Sequence, residues 1–233
     1  MKILFLMGNP KSKLKNKKGS VFLTEFKGKI LLEHQIEKCE TISPDEYIFT
    51  VPEESISDCK FNLIVKQLIS NYKILGLKSP TGGSICTAML AVDYFDGDEE
   101  IIILAGDEFI NANYLDIVKY FRHEDADCGI VNFNSIHPRY SYMLNDRNGE
   151  IIEIAEKNPL SKNALASFYY FNKSSYFIEA SKKVIKKDRK ILDSFYLSQA
   201  VNEMILEDKK IINYAIESES FVPLKTKSQI DKQ

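Results

Sequence analysis

The stretch Ile101-Ile102-Ile103-Leu104-Ala105-Gly106-Asp107 decides the fold class of this chain. Its first five residues are apolar on both faces, which predicts a strand buried at the centre of a parallel sheet. In open α/β sheets, ligands bind outside the carboxyl ends of the strands. Asp107 follows that end, after a glycine that allows close approach, so its carboxylate is a candidate ligand for Mg²⁺ shared with substrate phosphates. The alternative is a turn aspartate that accepts hydrogen bonds from local backbone amides.

Strands and helices alternate on both sides of this stretch. The hydrophobic pattern predicts strands at 3–7, 46–51, 72–77, 101–105 and 128–133, and helices at 31–39, 60–70, 84–94 and 114–121. Such an alternation indicates right-handed βαβ units, and therefore a parallel sheet with helices on both faces.

The second part of the chain has a different pattern. We expect a small antiparallel or mixed extension at the sheet edge, built from short strands at 141–144, 151–155 and 167–171. Helices at 176–186 and 197–206 then precede a last strand at 211–216. Without repeats or a linker rich in Pro and Ser, this predicts one α/β domain over residues 1–225, with a mixed, mainly parallel sheet flanked by helices. A polar tail follows over 226–233.

The composition excludes several classes of protein. Of 233 residues, 44% are hydrophobic and 27% charged, which rules out a chain that is disordered throughout, collagen-like or polytopic in a membrane. The formal net charge of −2 provides no global positive field, which argues against a dedicated nucleic-acid binder. The first apolar run is too short for a signal peptide, and no run approaches the ~20 residues of a membrane span.

The cysteines favour a reducing compartment. The four cysteines, at 39, 59, 86 and 128, lack C-x-x-C spacing, and the chain has only three histidines, so we expect no structural zinc site. Scattered cysteines in a chain of this size are typical of reduced thiols. We therefore expect a cytoplasmic protein with no membrane span.

A lysine-rich loop follows the first predicted strand. Gly8 opens this loop, and lysines stand at 11, 13, 15, 17 and 18. A basic loop with a glycine at the first βα turn could cradle phosphates. The loop matches neither G-x-x-x-x-G-K-[ST] nor G-x-G-x-x-G, so a solvated run of lysines is the alternative.

Two glycines open the helix predicted at 84–94. Within residues 80–87 (PTGGSICT), they would expose backbone amides at the positive end of the helix dipole. A base edge or a phosphate could dock there, and the candidate residues for such contacts are Thr81, Gly82, Gly83 and Thr87. The alternative is a plain turn with Ser84 or Thr81 as the helix cap.

The pair Glu156-Lys157 ends the strand predicted at 151–155. One acceptor and one cation at a strand end could lie over a phosphorylated substrate, although exposed Glu-Lys pairs are common. His137 could act as a base, but no residue near it in the sequence orients it, and we interpret it as mainly structural. The chain has no G-x-S-x-G motif and no evident Ser/His/Asp or Cys/His arrangement.

Several stretches of this chain, taken in their order along the sequence, resemble the sugar-1-phosphate nucleotidyltransferase family, in particular its short bacterial members linked to capsule and surface-glycan loci. The resemblance runs from about residue 80 to 206, with a weaker match before it. It is carried by TGGSICTA at 81–88, AGDE at 105–108, GIVNF at 129–133, HPRYSY at 137–142, NGEIIEIAEK at 148–157, FYL at 195–197 and NE at 202–203. It implies a nucleotidyltransferase fold, a Rossmann-type sheet like that of GT-A glycosyltransferases.

The resemblance also implies roles for individual residues. The aspartate at the Asp107 position holds Mg²⁺ in this family. The lysine at the Lys157 position, next to Glu156, contacts the phosphate or sugar of the acceptor, and the segment like 81–87 faces the nucleotide base. For the second metal ligand we expect Glu217, or else Glu219, near the end of the last strand.

The first loop departs from the family pattern. The family has a G-x-G-[ST]-R loop and then a Pro-Lys-Pro-Leu segment, whose arginine and lysine stabilise the triphosphate. Here the two segments read GNPKSKL at 8–14 and GSVFL at 19–23. Pro10 lacks an amide donor, and a lysine offers a point charge where an arginine offers a bidentate fork. Lys11 and Lys13 are the best-placed candidates to replace the missing charge.

The expected activity is nucleotidyl transfer for surface polysaccharide synthesis. An NTP and a sugar 1-phosphate, or another small phosphorylated metabolite, give an activated nucleotide and pyrophosphate, with Mg²⁺ as cofactor. Because the G-x-G-x-R loop is absent, two alternatives stay open: a GT-A-type glycosyltransferase, and a non-catalytic relative that binds nucleotide. The expected partners are an NTP or nucleotide sugar and a small phosphorylated substrate, with a homodimer as a candidate assembly.

Overall fold

The computed structural model describes residues 1–8, 21–58 and 60–224. The strands are β1 (Lys2–Leu6), β2 (Glu25–Phe26), β3 (Lys29–Ile30), β4 (Glu46–Pro52), β5 (Tyr72–Leu77), β6 (Ile101–Ala105), β7 (Glu108–Ile110), β8 (Cys128–Asn134), β9 (Ser141–Asn145), β10 (Ile151–Glu156), β11 (Asn163–Phe171), β12 (Ile211–Ala215) and β13 (Phe221–Pro223). The helices are α1 (Leu31–Glu40), α2 (Glu53–Asp58), α3 (Phe61–Leu68), α4 (Ser84–Met89), α5 (Tyr114–His123), α6 (Ser174–Lys186) and α7 (Leu197–Ile205). Lys11, Lys13 and the tail over 226–233 lie outside the described residues.

The strand β6 lies in the middle of a large mixed sheet, as its sequence predicted. Nine strands form this sheet, in the order β10-β9-β11-β6-β1-β4-β5, and β8 extends it by pairing with β11 and with β12. β6 pairs in parallel with β1 and antiparallel with β11. Because both of its neighbours are strands and both of its faces are covered, Ile101, Ile102 and Ile103 are fully buried.

The prediction that residues 167–171 belong to an extension at the sheet edge is wrong. They belong to β11, which lies between β6 and β8 and is antiparallel to both. Phe168 and Tyr170 pack on one face of the sheet, and Tyr169 and Phe171 pack on the other. A strand that is apolar on both faces is stable only where both faces are covered, which excludes an edge position. Only β9 and β10 form the predicted extension.

The helices cover the sheet in two layers. Alternate residues of each strand point to opposite faces, so that Ile3 and Phe5 of β1 pack on one side and Leu4 packs on the other. Residues of α1, α3 and α5 belong to the first cluster, and residues of α4, α6 and α7 belong to the second. This α/β/α arrangement agrees with the fold class predicted from the β–α alternation.

Two local predictions need correction. The helix predicted at 84–94 is shorter, because α4 ends at Met89, where the Leu90 amide bonds back only three residues to Thr87 O (3.3 Å), and a separate 3₁₀ turn covers Val92–Tyr94. A small second sheet, in which β7 pairs antiparallel with β13, was not predicted. Each of its strands has three residues, too few for a periodic pattern. Over the described ranges, no helix has the length and apolar character needed to cross a bilayer.

Candidate functional site

The carboxyl ends of three parallel strands meet at one edge of the sheet. The Met7 amide, after β1, donates to Thr50 O of β4 (2.9 Å), and the Gly106 amide, after β6, donates to Leu6 O of β1 (2.9 Å). A Cβ built at Gly106 would lie 2.6 Å from Met7 Cγ, so only a glycine lets the two chain segments approach this closely. The turn that carries Asp107 therefore starts at the edge predicted from the sequence.

The Asp107 turn, residues 105–108, is held by hydrogen bonds from several parts of the chain. The Leu224 amide, after β13, donates to Asp107 O (2.9 Å), and the Ser167 amide of β11 donates to Glu108 Oε2 (3.0 Å). From α1, Gln35 Nε2 donates to Ala105 O (3.0 Å) and to Glu108 O (2.7 Å). Asp107 itself is partly exposed, whereas Glu108 is buried. The turn is thus held by three other elements, and the Asp107 side chain is partly accessible.

The surroundings of Asp107 fit a cation that is shared with a bound substrate. The strand β13 brings Pro223 and Leu224 next to the turn, and neither side chain carries an oxygen. Across residues 1–8, 21–58 and 60–224, no three His, Cys, Asp or Glu side chains gather in a group able to hold a metal ion. Mg²⁺ in proteins is commonly held by one or two carboxylates together with substrate phosphates and water. The donor set at Asp107 is compatible with that arrangement and not with a cage built from protein ligands alone.

Glu217, the expected second metal ligand, lies at the other end of the β7–β13 ladder. Beyond Phe221, the Asn111 amide donates to Ser220 O (2.7 Å), and Glu217 lies three residues further back along the chain. The side chains of Glu217 and Glu219 are exposed. The length of the β7–β13 ladder therefore separates Glu217 from Asp107, and the role of Glu217 as a metal ligand stays a prediction.

The glycine turn at 81–87 joins the start of α4 to the start of α7. The Phe195 amide donates to Gly82 O (2.8 Å), the Ile85 amide donates to Phe195 O (3.2 Å), and the Leu197 amide donates to Ser84 Oγ (3.0 Å). Gly83 has a φ of 122°, and a Cβ there would lie 2.3 Å from Phe195 O. Because backbone atoms cannot move aside as a side chain can, residue 83 has to be glycine.

The same turn shows that the capping alternative for Ser84 and Thr81 is wrong. No side chain caps α4, since Ser84 Oγ accepts from Leu197 of another helix. The hydroxyls of Thr81 and Thr87 lie 2.6 Å apart, and each contacts Gly83 O at 3.1 Å. These two threonines therefore stabilise the glycine turn from inside.

The predicted nucleotide-contacting residues lie close together. A Cβ built at Gly8 would lie 2.3 Å from Leu77 Cδ1 and 3.6 Å from Thr87 Cγ2. Since Thr87 contacts Thr81 and Gly83, the end of β1 and the glycine turn form one corner of the sheet edge. We call it the glycine corner. Its role in binding a nucleotide stays a prediction, as do the roles of Lys11 and Lys13 outside the described residues.

Glu156 and Lys157 are held by side chains from two other elements. Glu156 Oε2 accepts hydrogen bonds from Ser141 Oγ of β9 and from Ser198 Oγ of α7 (2.7 Å). Lys157 has a φ of 54°, its amide donates to Tyr140 O (3.0 Å), and its Nζ donates to the hydroxyl of Tyr196 (2.5 Å). Both residues are half-buried. The pair is therefore a built feature of the fold and not the exposed Glu-Lys pair that was the alternative.

The partly buried side-chain amide of Asn202 fastens α7 to the outer edge of β10. The Ile154 amide donates to Asn202 Oδ1 (2.8 Å), and Asn202 Nδ2 donates to Ile154 O (2.7 Å). Asn202 thereby takes the place of a neighbouring strand and satisfies the edge of β10. Together with the contacts of Ser198 and Tyr196, it sets the position of Glu156 and Lys157 relative to α7.

Two acidic residues of the candidate site, Glu108 and Glu156, act on the buried phenol of Tyr169. Burial raises the pKa of the Tyr169 phenol, and the nearby Glu156 and Glu108 carboxylates raise it further. The phenol also interacts with Ser141, which donates to Glu156. Residues 168–171 of β11 pair with β6 and Ala164 pairs with Tyr142 of β9, both on the edge of β11 that does not pair with β8, and Ser141 of β9 pairs with Glu156 of β10. The Asp107 turn and the Glu156-Lys157 pair therefore lie next to each other along one edge of β11. His137, by contrast, is exposed, and its Nδ1 contacts Arg139 Nε (3.2 Å).

Sequence reasoning missed the residues that hold this site. Gln35, Tyr169 and Ser198 were not singled out, and Ser141 and Tyr196 were noted only within stretches that carry the resemblance, because each contacts its partner across a long separation in the chain. Gln35 could have been found as a polar residue on the apolar stripe of α1. For the others, no local pattern indicates the contact.

Comparison with known proteins places the chain in a family. No curated protein matches it in sequence. Among solved structures, it resembles a nucleoside-diphosphate-sugar pyrophosphorylase from Vibrio cholerae RC9 (TM-score 0.83, 20% identity, 100% of this chain and 98% of that one). It also resembles a putative glucose-1-phosphate thymidylyltransferase from Bacillus anthracis, solved in complex with a sucrose (0.80, 19%, 100% and 93%), and HddC from Yersinia pseudotuberculosis (0.69, 16%, 99% and 96%). At these identities the likeness shows the fold. The Nucleotidyl transferase family model matches residues 17–217, and the chain therefore belongs to the nucleotidyl transferase family.

Proposed function

We propose that this protein transfers a nucleoside monophosphate from an NTP to a sugar 1-phosphate or a similar small phosphorylated metabolite. In this reaction an oxygen of the acceptor phosphate attacks the α-phosphorus, the bond to the β-phosphate oxygen breaks, and pyrophosphate leaves. The acceptor is already a nucleophile, so catalysis needs mainly positioning and charge neutralisation. The observation that carries the proposal is the held Glu156-Lys157 pair beside the Asp107 turn.

The nucleotide would occupy the glycine corner next to Asp107. Members of the family generally use divalent metal ions, and we propose Mg²⁺. The bound cation would neutralise charge on the phosphates. Asp107 would hold it, and the absence of side chains at Gly82 and Gly83 would let the base or ribose approach the backbone there.

The acceptor would bind on the other side, against Lys157. The Lys157 ammonium is fixed by a neutral hydroxyl, so its charge is available to an anionic phosphate. Glu156 Oε2 accepts hydrogen bonds from the two serines, and none of the described residues donates to Oε1. A sugar hydroxyl would donate a hydrogen bond to this oxygen, which favours a sugar phosphate as the acceptor substrate. An activated sugar formed this way, in the cytoplasm, would serve polysaccharide synthesis.

Lys11 and Lys13 complete the proposal for the triphosphate. The family's arginine is absent from this chain, so one or both lysines would have to stabilise the departing pyrophosphate. Removing a charge that acts in the transition state lowers the rate by about a hundredfold or more, whereas a surface lysine contributes ~0–1 kcal/mol that fades with salt. Single Lys→Ala changes at 11, 13, 15, 17 and 18 should therefore give one or two large losses and several small ones.

A non-catalytic nucleotide-binding relative is the second candidate. The specific observation in its favour is the sequence of the first loop, GNPKSKL at 8–14, which lacks the arginine of the family's G-x-G-[ST]-R pattern. This candidate predicts Mg²⁺-dependent binding of an NTP without any release of pyrophosphate.

One experiment separates the two candidates. The parent protein is screened by thermal shift with the four NTPs, with and without Mg²⁺, because a ligand of the native state raises its stability by RT ln(1 + [L]/Kd). Pyrophosphate release is then measured with the selected NTP and a panel of sugar 1-phosphates. A selective, Mg²⁺-dependent shift followed by release supports the transferase. A shift without release for any acceptor supports the non-catalytic relative.

A matched pair of variants tests the metal assignment in the same assays. Asp107→Asn should lower pyrophosphate release by about a hundredfold or more and abolish the Mg²⁺ dependence of nucleotide binding. Asp116→Asn, at an exposed position of α5, should change neither. Unchanged Mg²⁺-dependent binding in Asp107→Asn would remove Asp107 from the site.

A further inference from the structure

Gln35 is a polar residue in a place where the fold calls for an apolar one. On α1, the buried side chains are Leu31, Leu32, Gln35, Ile36 and Cys39, and Gln35 is only 2% exposed. The helix packs this stripe against the sheet, and a leucine or methionine would fill the same volume without a polar group to satisfy. The presence of a carboxamide there needs a reason beyond packing.

The carboxamide of Gln35 bonds the first and the last residue of the Asp107 turn. Its Nε2 carries two hydrogens, and it donates to Ala105 O at 3.0 Å and to Glu108 O at 2.7 Å. These two carbonyls flank Gly106 and Asp107 in the chain. One side chain therefore closes the turn by bonding the residue before it and the residue after it.

The carbonyl half of the carboxamide shows what sets the orientation of the Gln35 side chain. Gln35 Oε1 is buried, and no donor within hydrogen-bond distance of it is found in residues 1–8, 21–58 and 60–224. A buried acceptor without a donor costs free energy. Rotating the amide would not relieve this cost, since it would bring Oε1 against two carbonyl oxygens. The orientation of the side chain is thus set by the two carbonyls of the turn.

We propose that Gln35 is a positioning residue for Asp107, which holds the turn in the geometry that presents the carboxylate to a divalent cation. Gln35 does not touch the cation or the substrate and acts only through the backbone of residues 105–108. As far as it concerns the cation, this inference rests on the proposed function. The mechanical part, that Gln35 holds the turn, stands without it.

Hydrogen exchange at the turn tests the mechanical part in the absence of any ligand. Gln35→Met keeps the length and volume of the side chain and removes both donors. The control is Ile36→Val on the same helix. Ile36 is 3% exposed in the same core, and its alkyl side chain has no donor that could bond the carbonyls of the turn. We expect the amides of Gly106 and Leu224, which bond Leu6 O and Asp107 O, to exchange about tenfold faster or more in Gln35→Met than in Ile36→Val. Equal exchange in the two variants overturns the proposal.

A Mg²⁺ titration tests the consequence for the cation. With the NTP that stabilises the parent protein most, we expect the midpoint in MgCl₂ to rise about tenfold in Gln35→Met and to stay within about twofold in Ile36→Val at matched stability. NTP binding without Mg²⁺ should not change. Faster exchange with an unmoved midpoint overturns the positioning role and leaves Gln35 with a structural one.

Two further results remain decisive. If Gln35→Met does not fold, Gln35→Asn retains the carboxamide but withdraws it by one methylene, so that it cannot reach both carbonyls, and the same two measurements apply with smaller expected shifts. If the parent protein shows no Mg²⁺-dependent nucleotide binding, the proposed function fails, whereas the exchange comparison still decides whether Gln35 holds the turn.

Discussion

Charged groups at the two ends of the large sheet are held in different ways. At the amino end of β6, Arg122 bonds both carboxylate oxygens of Glu100, at 2.7 and 2.5 Å, and the Tyr170 hydroxyl adds a third bond (2.6 Å). At the carboxyl end of β10, Glu156 is held by two serine hydroxyls and Lys157 by the Tyr196 hydroxyl. The first set of charges cancels within the protein, and the second set is oriented by neutral groups.

This difference supports the proposal that the carboxyl end serves a ligand. An ion pair is neutral to its surroundings and contributes modestly to stability at a surface. A charge that is fixed only by neutral hydrogen bonds keeps its field, and a ligand of opposite charge can bind it without first breaking an ion pair. The contrast predicts that changes to the charged groups at the carboxyl end alter ligand binding, whereas changes to the charged groups at the amino end alter stability without altering ligand binding.

The largest effect, on the free energy of unfolding, is expected where the contact between the glycine turn and Phe195 is broken. Gly83→Ala puts a Cβ 2.3 Å from Phe195 O and 2.6 Å from Phe195 N, at a φ of 122°. The start of α4 must then separate from the start of α7, and we expect a loss of unfolding free energy of about 3 kcal/mol or more. Urea unfolding measures it.

The matched control for that prediction is another glycine with a positive φ. Gly149 has a φ of 89°, and a Cβ there would have no heavy atom within 4 Å. Gly149→Ala should therefore show only the backbone strain, about 1 kcal/mol. A loss at residue 83 no larger than at residue 149 would contradict the close fit between Gly83 and Phe195.

The next effect concerns Lys157, the cation that we propose to face the acceptor. Lys157→Met keeps the length of the stem and removes the charge, so we expect the KM for the acceptor to rise by about ten- to a hundredfold, as for the loss of one hydrogen bond to a charged group. NTP binding should hardly change. The control is Lys162→Met, an exposed lysine in the following loop. Equal losses for both ligands would show that Lys157 is not specific to the acceptor.

A smaller effect is expected from the hydroxyls that hold Glu156. Ser141→Ala or Ser198→Ala leaves one donor on Glu156 Oε2, so each alone should raise the acceptor KM only a few-fold, about 1 kcal/mol. The double variant removes both donors and should cost more than the two single changes together, which a double-mutant cycle measures.

Ser181→Ala is the control for these serines. Ser181 Oγ is buried on α6 and has no hydrogen-bond partner within the described part of the chain. Its removal should be neutral or slightly stabilising, because a buried hydroxyl without a partner costs free energy. A purely additive result at Ser141 and Ser198 would mean that the two hydroxyls do not act on the same carboxylate.

The smallest effect is expected at the amino end, and it depends on pH. Burial by itself would raise the pKa of Glu100, but the hydrogen bonds from Arg122 and Tyr170 outweigh it and lower the pKa. A carboxyl with a lowered pKa stabilises the folded state above its unfolded pKa of about 4.3, and that contribution is lost as the pH falls through the folded pKa. Arg122→Gln should therefore lower the stability at pH 7 by less than about 1 kcal/mol, since the pair is partly exposed, and should lower it by less at pH 3 than at pH 7.

Urea unfolding at the two pH values measures this difference, with Lys119→Gln on the exposed face of α5 as the control. Nucleotide and acceptor binding should be the same in Arg122→Gln as in the parent protein. A change in ligand binding there would contradict the division between the two ends of the sheet.

The sequence by itself determined the fold class and the edge of the sheet where the site lies. The run at 101–105 is apolar on both faces, and such a run reports burial on both sides wherever it occurs, which places it inside a sheet. Asp107, the glycines at 82 and 83 and the Glu156-Lys157 pair follow elements whose ends can be read from local patterns. Since carboxyl ends of parallel strands share one edge, the neighbourhood of Asp107 and the two glycines followed from the same patterns. The position of Glu156 and Lys157 did not, because they end a strand that runs antiparallel to β6.

Only the tertiary structure decided which strands are neighbours and what holds the site. Whether the strand at 163–171 pairs at an edge or between β6 and β8 depends on contacts that no local pattern records. The bonds of Gln35 to Ala105 and Glu108 join residues 70 and 73 positions apart, and those of Lys157 to Tyr196 and of Glu156 to Ser198 join residues 39 and 42 apart. A local pattern reports periodicity and burial within one element, whereas these contacts arise because packing of the whole chain brings distant polar groups to the same place.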